Sequence, residues 1–509
     1  MRMLSPRPRS VLLFVSWRTL GAVLRPRPAV QACLGLMGGM ACAEFGIPPM
    51  RWSLLGLLGL GWLVMLFPRL WVVTLAFAVG WARYTVWHVP NIDTPPEQVL
   101  LRAVGLLEPT RNGFRLLCAF EAPVRDGYVL VYFRSTVPSE ALPDYGDRFR
   151  LRGTWSRPRN WAEGPFDWAR YLQRRRVRFV AFVSHAGQVQ LQESGADLWQ
   201  RRLRRARQNL REVLSARLSP TTASITEGMM MGASGDFPKD LREAFMRSGI
   251  GHLLATSGLH VGMMLQMVGG LLLGLGIYFR PRMGVVIAFA WLYALLAGLR
   301  PSIVRACMMA TLALSAPFVR READGLSALS VAGMVWLLYA PYSLFEVGFQ
   351  YSFAAVLCIL LFYGRVLRVL AKGCQAGVRS PMLTQLGVRW LCPLLSVTLC
   401  AQLGIAPIQL YHFGYFGWFS TVANLLAVPV AYPLLAVGFL FWATQGWFGG
   451  ILLEWLCNWL CWVATTFGSA GAPILTISHM PAWVPIWFYV GLLLLAREPQ
   501  MAPEEGWHV

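Results

Sequence analysis

The alternation of apolar and polar positions divides the chain into blocks. After an arginine-rich start (Arg2, Arg7, Arg9, Arg18, Arg25 and Arg27), apolar runs at Ala29–Ile47, Trp52–Phe67 and Leu70–His88 predict three transmembrane helices over 29–90. The short apolar piece Val11–Trp17 carries no clear cleavage site, so residues 1–28 read as a retained cytoplasmic tail. From 91 to 200 the period falls to two. Phe114–Phe120, Tyr128–Phe133 and Arg148–Gly153 alternate between turn dipeptides such as Asn112-Gly113 and Asp126-Gly127, which predicts a small β-barrel. Within the segment 201–248, a helix from Leu198 to Leu218 sets Leu203, Leu210, Val213 and Leu214 against Arg201, Arg202, Arg204, Arg205, Arg207, Arg211 and Arg217. It suits a membrane surface, or a basic rail for a polyanion. Apolar runs return over 249–496 and predict roughly nine spans, followed by a tail at 497–509.

Charge placement orients these blocks. The third apolar run delivers the chain outside, and the basic turns Arg280–Arg282, Arg320–Arg321 and Arg365–Arg389 then all fall inside. The predicted fold class is a polytopic α-helical membrane protein of about twelve transmembrane helices, with the β-barrel inserted on the outer face and both termini cytoplasmic.

Polar groups inside the later apolar runs are the candidate chemistry. The run Gly249–Phe279 carries His252, Thr256, Ser257 and His260. Such groups are costly in lipid and belong in a bundle interior or a wet cavity. Gly258 and Gly262 form a G-x-x-x-G pair suited to close helix packing, so the alternative is a packed helix with every polar bond internal. An unpaired arginine at the centre of a span costs about 2.5–3.5 kcal/mol. Arg300 and Arg305 therefore point to phosphate contact at a pore mouth, or to lipid headgroups or an ion pair with Glu346. Gln350, Ser352, Gln402, Gln409, His412 and Asn424 extend the polar set. Pro407, Pro429 and Pro433 predict kinked or broken helices, which membranes tolerate around water-filled cavities. Together these favour a hydrated lumen.

Composition agrees: 56% hydrophobic, 14% charged, with 22 Trp and 28 Phe, as in a membrane protein. The net charge of +21 rests almost wholly on arginine, Lys239 and Lys372 being the only lysines. That suits a polyanion, and equally a GC-rich genome with positive-inside loops. Most cysteines lie in apolar runs and act as small hydrophobes. Cys118 alone falls in the β segment, which excludes a disulfide within it. The seven histidines contain no His-x-His-x-Asp-His cluster, so no metal site or cofactor is expected. Neither lysine belongs to a phosphate-binding G-x-x-x-x-G-K loop.

The block Gly251-His-Leu-Leu-Ala-Thr-Ser-Gly-Leu-His-Val-Gly262 resembles the signature of ComEC-type competence proteins, the inner-membrane DNA internalisation channels. Three further blocks agree in order: Arg300–Met309, Pro341–Ala355 and Ala401–Pro429. Thr256 and Tyr351 stand where that family more often has Ile and Leu. The resemblance, over about residues 30–470, implies an OB-like fold for the β segment, with 160–182 as its closing segment. It also implies a form lacking the C-terminal metallo-β-lactamase-like nuclease domain that many members carry.

On this resemblance the chain is a channel, not an enzyme, carrying single-stranded DNA inward during natural transformation. Lining candidates are His252, Thr256, Ser257, His260, Arg300, Arg305, Gln350, Ser352, Gln402 and Asn424. DNA-binding candidates are Arg148, Arg150, Arg152, Trp155, Arg157, Arg159 and Trp161, since OB folds combine basic grooves with stacking aromatics. Implied partners are an ATP-driven translocase, a separate nuclease, a DNA receptor with its pilus system, and a second copy of the chain. Two alternatives remain: a transporter or flippase for another anionic polymer or lipid, and a non-conducting assembly scaffold.

Overall fold

The computed structural model describes residues 27–44, 71–87 and most of 98–496. The expected span Trp52–Phe67, the arginine-rich start, Trp161 and the final tail lie outside the described residues. Helices α1 (Pro28–Glu44) and α2 (Trp71–Trp87) precede strands β1 (Val99–Ala103), β2 (Glu108–Thr110), β3 (Gly113–Ala122), β4 (Tyr128–Arg134), β5 (Arg148–Leu151) and β6 (Thr154–Ser156). Helix α3 (Trp168–Arg174) leads into β7 (Val177–Val183) and β8 (Val189–Glu193). The helical block begins with α4 (Leu198–Arg217), α5 (Pro220–Met231), α6 (Lys239–Arg247), α7 (Gly258–Gly274), α8 (Phe279–Leu296) and α9 (Pro301–Ser315). It continues with α10 (Gly325–Tyr339), α11 (Val347–Gly377), α12 (Pro381–Leu386) and α13 (Cys392–Phe413). The hairpin partners β9 (Tyr415–Gly417) and β10 (Ile474–Thr476) bracket α14 (Ser420–Ala443) and α15 (Gly450–Gly468), and α16 (Trp483–Leu495) follows.

The larger sheet runs β6-β7-β4-β3-β1-β5-β8, with β2 on β3. Its pairs are antiparallel except β4 with β7. Alternation sets the faces: Phe149 and Leu151 point into the core while Arg148 and Arg150 point out. Every long strand sends apolar side chains, such as Leu101, Leu116, Val131 and Ala181, to one common core. The sheet thus curves around that core as a half-barrel, and its path does not close among the described residues. Among the described residues β6 and β8 end the path unpaired. Strand β6 spans three residues and runs toward Pro158, which has no N–H to extend a ladder. On the opposite face Leu172 of α3 packs over Leu130, Val177 and Val180.

Among the described residues six helices are long and apolar enough to cross a membrane, all of them after residue 278. Val72–Trp87, Gly258–Gly274, Gly325–Tyr339 and Trp483–Leu495 are apolar but shorter. Leu210, Val213 and Leu214 of α4 are buried with α5, α14 and α15, so the apolar face expected to meet a membrane surface meets protein. Helices α13 and α14 run through Pro407, Pro429 and Pro433 instead of breaking there.

The run Gly249–Phe279 is not one helix. A 3-10 turn at Gly251–Leu254 precedes α7, and Gly249 enters that turn at a φ of 79°. Gly262 has no neighbour within 4 Å and Gly258 meets Ala306 at an ordinary 3.4 Å, so this G-x-x-x-G pair is not a close seam. The close seam lies in α1 and α2. A Cβ at Gly35 or Gly39 would collide with the carbonyls of Val73 and Phe77, and one at Gly80 with that of Leu36.

Candidate functional site: an arginine-lined cavity

A cavity of about 3160 Å³ separates the β domain from the helical block. Arg115, Leu117, Leu130, Arg170 and Tyr171 face it from the β domain, and Leu203, Arg207 and Arg211 from α4. Its floor consists of the ends of α8 and α13 and the beginnings of α9, α11 and α16. Pockets for small ligands measure about 300–1,000 Å³, so this space has room for a polymer.

The wall is strongly cationic. Arg115, Arg170, Arg174, Arg175, Arg207, Arg211, Lys239, Arg242, Arg300 and Arg305 line it, against Asp167, Glu212 and Glu346. Each of those acids is engaged. Asp167 accepts from the Arg170 backbone N–H and so caps α3, Glu212 accepts from Gln208 at 2.9 Å, and Glu346 accepts from Arg175 at 2.7 Å. Behind the wall Glu44 pairs with Arg170 and Arg174, and Glu227 with Arg211, so among the described residues ten cations stand against five acids.

Three consecutive arginines dock the β domain onto the helices. Arg174 donates to Glu44 at 2.5 Å, and Arg170 and the Tyr84 hydroxyl donate to the same carboxylate. The Arg174 guanidinium lies 4.8 Å from the Phe345 ring, that of Arg175 4.7 Å from Tyr171, and that of Arg176 5.0 Å from Trp87. Burial opposes the Arg175 charge, but Tyr171 and Glu346 more than offset it and hold its pKa above the usual arginine range. On the far side Arg207 donates to the Leu295 and Leu296 carbonyls, both at 2.6 Å. It thereby satisfies the negative C-terminal end of α8.

The residues singled out from the sequence separate into groups. Thr256, Arg300, Arg305 and Gln350 are in the cavity wall. Gln350 donates to the Leu344 carbonyl at 3.1 Å and meets His412 Nε2 at 3.0 Å. Arg305, 2% exposed, donates to the Gly348 carbonyl at 3.1 Å, with Phe349 and Phe353 rings 5.2 and 5.5 Å from its guanidinium. The acid considered as its ion-pair partner, Glu346, pairs with Arg175. His252, Ser257, His260, Ser352, Gln402 and Asn424 do not line the cavity. His252 is exposed on the 3-10 turn, its Nδ1 3.2 Å from the Gly249 carbonyl. Ser257 and the fully buried His260 form a capping box at the start of α7. Gln402 donates to Ser420 at 2.9 Å, and Asn424 to the Ser420 carbonyl at 2.7 Å, in a separate polar cluster.

Arg148, Arg150, Arg152, Arg157 and Arg159 are exposed on the β domain, away from the cavity wall. Arg148 pairs with Glu121 at 3.1 Å. The Trp155 ring is half-buried and packs edge-on to Phe179. The docking arginines escaped the sequence reading, and Arg207 entered it only as one of the α4 arginines that could form a basic rail. The run Arg174–Arg176 after Tyr171-Leu172-Gln173 was the signal available. Among the described residues no three His, Cys, Asp or Glu side chains converge as metal ligands.

Apolar helices of spanning length beneath a cationic cavity define a membrane protein. A family model described as "Competence protein" matches residues 229–501, more than half of the chain, and the chain belongs to that family. It is 27% identical over 438 residues to "ComE operon protein 3" of Bacillus subtilis (strain 168), covering 83% of this chain and 54% of the relative. It is 26% identical over 220 residues to "Recombination protein 2" of Haemophilus influenzae, covering 42% of this chain and 26% of the relative. The chain thus spans about half, or less, of the length of these curated relatives. No solved structure matches it.

Proposed function

We propose that this protein is a bacterial inner-membrane channel that carries single-stranded DNA into the cytoplasm during natural transformation. The observation that carries this reading is the cationic cavity above the ends of membrane-length helices. A phosphate backbone is drawn to such a wall and releases its counterions there. Membership of the competence family and the relatives' printed names point the same way. In this account the β domain over 91–200 lies outside and receives the strand in the manner of an OB fold, with Arg148, Arg150 and Arg152 as first contacts. The strand then enters the cavity and crosses among about twelve spans, and both termini are cytoplasmic.

Moving each phosphate toward a negative interior costs about 2.3 kcal/mol per 100 mV. In this account a separate ATP-driven translocase pulls the strand and a separate nuclease degrades its complement. Transformation frequency in a clean deletion tests the reading. Frequency is expected to collapse and to return with wild-type protein, but not with a Lys239→Glu/Arg242→Glu variant present in the membrane at normal amounts. Undiminished transformation in the deletion sinks the proposal.

A further inference from the structure

We propose that the rings of Trp199 and Tyr411 are stacking platforms for bases, so that the cavity selects a polymer with unpaired bases over a bare chain of phosphates. The inference rests on the reading of the cavity as the path of single-stranded DNA, and adds to it what the wall recognises besides charge.

Arginine alone cannot make that selection. A guanidinium binds any phosphate chain, with or without bases. The wall also carries aromatic rings, and several of them are engaged within the protein. Trp168 stacks on Tyr171 at a centroid separation of 5.3 Å, and Phe349 on Phe353 at 4.2 Å. Phe345 lies under the Arg174 guanidinium, and Phe413 meets the rings of Tyr351 and Tyr415. Trp199 and Tyr411 are more open: both line the cavity, and they are 50% and 43% exposed.

Local structure sets both rings among cations. Trp199, Leu203, Arg207 and Arg211 recur at every fourth residue of α4, and all four line the cavity, as residues on one helical face do. Tyr411 is in the last turn of α13, where Leu410 and His412 also face the space and Gln350 meets His412 at 3.0 Å. Every base has a π face, so a ring in a cationic groove accepts each nucleotide in turn without reading its sequence. A path for long strands needs that tolerance. Leu299 and Ile486, also exposed in the wall, offer apolar surface but no such face. Trp155, the ring that the sequence offered for this role, is half-buried against Phe179 instead.

The test uses the full chain in nanodiscs of zwitterionic lipid, with two fluorescent probes of equal length and charge: a twelve-nucleotide thymidine strand and its abasic counterpart. Wild type should bind the thymidine strand about a hundredfold more tightly, two base–ring stacks at about tenfold each. Trp199→Ala and Tyr411→Ala should each weaken the thymidine strand about tenfold and leave the abasic strand unchanged. Trp199→Phe and Tyr411→Phe, which keep a ring, should retain most of the preference. Equal affinity of wild type for the two strands overturns the platforms and leaves a charge-lined channel standing. If short-chain phosphatidylglycerol also displaces both strands, the wall is assigned to a lipid. Equal weakening of both strands by an alanine variant makes that ring structural and overturns its role. Binding of neither strand overturns the platforms and the DNA reading together.

Discussion

Arg175 donates to Glu346 at 2.7 Å, joining two residues 171 positions apart. One stands between α3 and β7, and the other immediately precedes α11. This bond, with the Arg174–Glu44 pair beside it, holds the β domain over the helical block and so shapes the cavity.

Breaking that latch should loosen the domain. Arg175 is 33% exposed and Glu346 12%, between the surface and buried regimes of ion pairs. Arg175→Ala is expected to cost about 2 kcal/mol, seen as a lower unfolding temperature and faster limited proteolysis of the chain. The swap Arg175→Glu with Glu346→Arg should recover part of the loss in a double-mutant cycle. Additive effects would show that the pair is incidental.

Glycines at the α1–α2 seam should be intolerant where the sequence motif is tolerant. Gly39→Ala forces its methyl against the Phe77 carbonyl and should cost about 1–3 kcal/mol, read as reduced protein in the membrane. Gly262→Ala enters open space and should change stability by less than about 0.5 kcal/mol. The reverse order would restore Gly258 and Gly262 as the packing pair.

Arg207 should be irreplaceable by lysine. Its planar fork reaches two carbonyls at the end of α8 at once, which an ammonium group cannot reproduce. Arg207→Lys is therefore expected to lower stability by about 1 kcal/mol, measured by thermal shift in detergent. No change would mean that charge alone matters there.

The legible parts of the fold were those with local periodicity. Strands at Phe114–Phe120 and Tyr128–Phe133 and the α4 helix follow from the spacing of their own apolar residues. The parallel pairing of β4 with β7, the open edge at β6 and the α1–α2 glycine seam do not. Each depends on a partner far along the chain. The site divides the same way. Arg300 and Arg305 stood out because arginine is conspicuous in an apolar run, while Arg174 and Arg175 lie in a polar stretch where another arginine carries no signal. His252 and His260 stood out equally; His252 stands on a turn, and His260 joins a capping box through Nδ1 while its buried Nε2 has no partner.

Trp155 should act first through packing. Its half-buried ring meets Phe179 beside the sheet's core, so Trp155→Ala should destabilise the β domain by about 2–3 kcal/mol. Chemical denaturation of the full chain, followed by tryptophan fluorescence, reads this. Loss of strand binding at unchanged stability would instead assign the ring to base stacking.

The central claim is that DNA travels through the arginine-lined cavity. It is tested most directly by photo-crosslinking a 4-thiothymidine-labelled strand, arrested during uptake, to the protein in intact cells. The account predicts adducts at cavity-wall residues such as Thr256, Gln350 and Tyr411. None should form at exposed positions away from that wall, such as Leu271, Ile451 and Trp455. Uptake that proceeds with no adduct in the cavity wall, or with adducts concentrated at Leu271, Ile451 and Trp455, would contradict it.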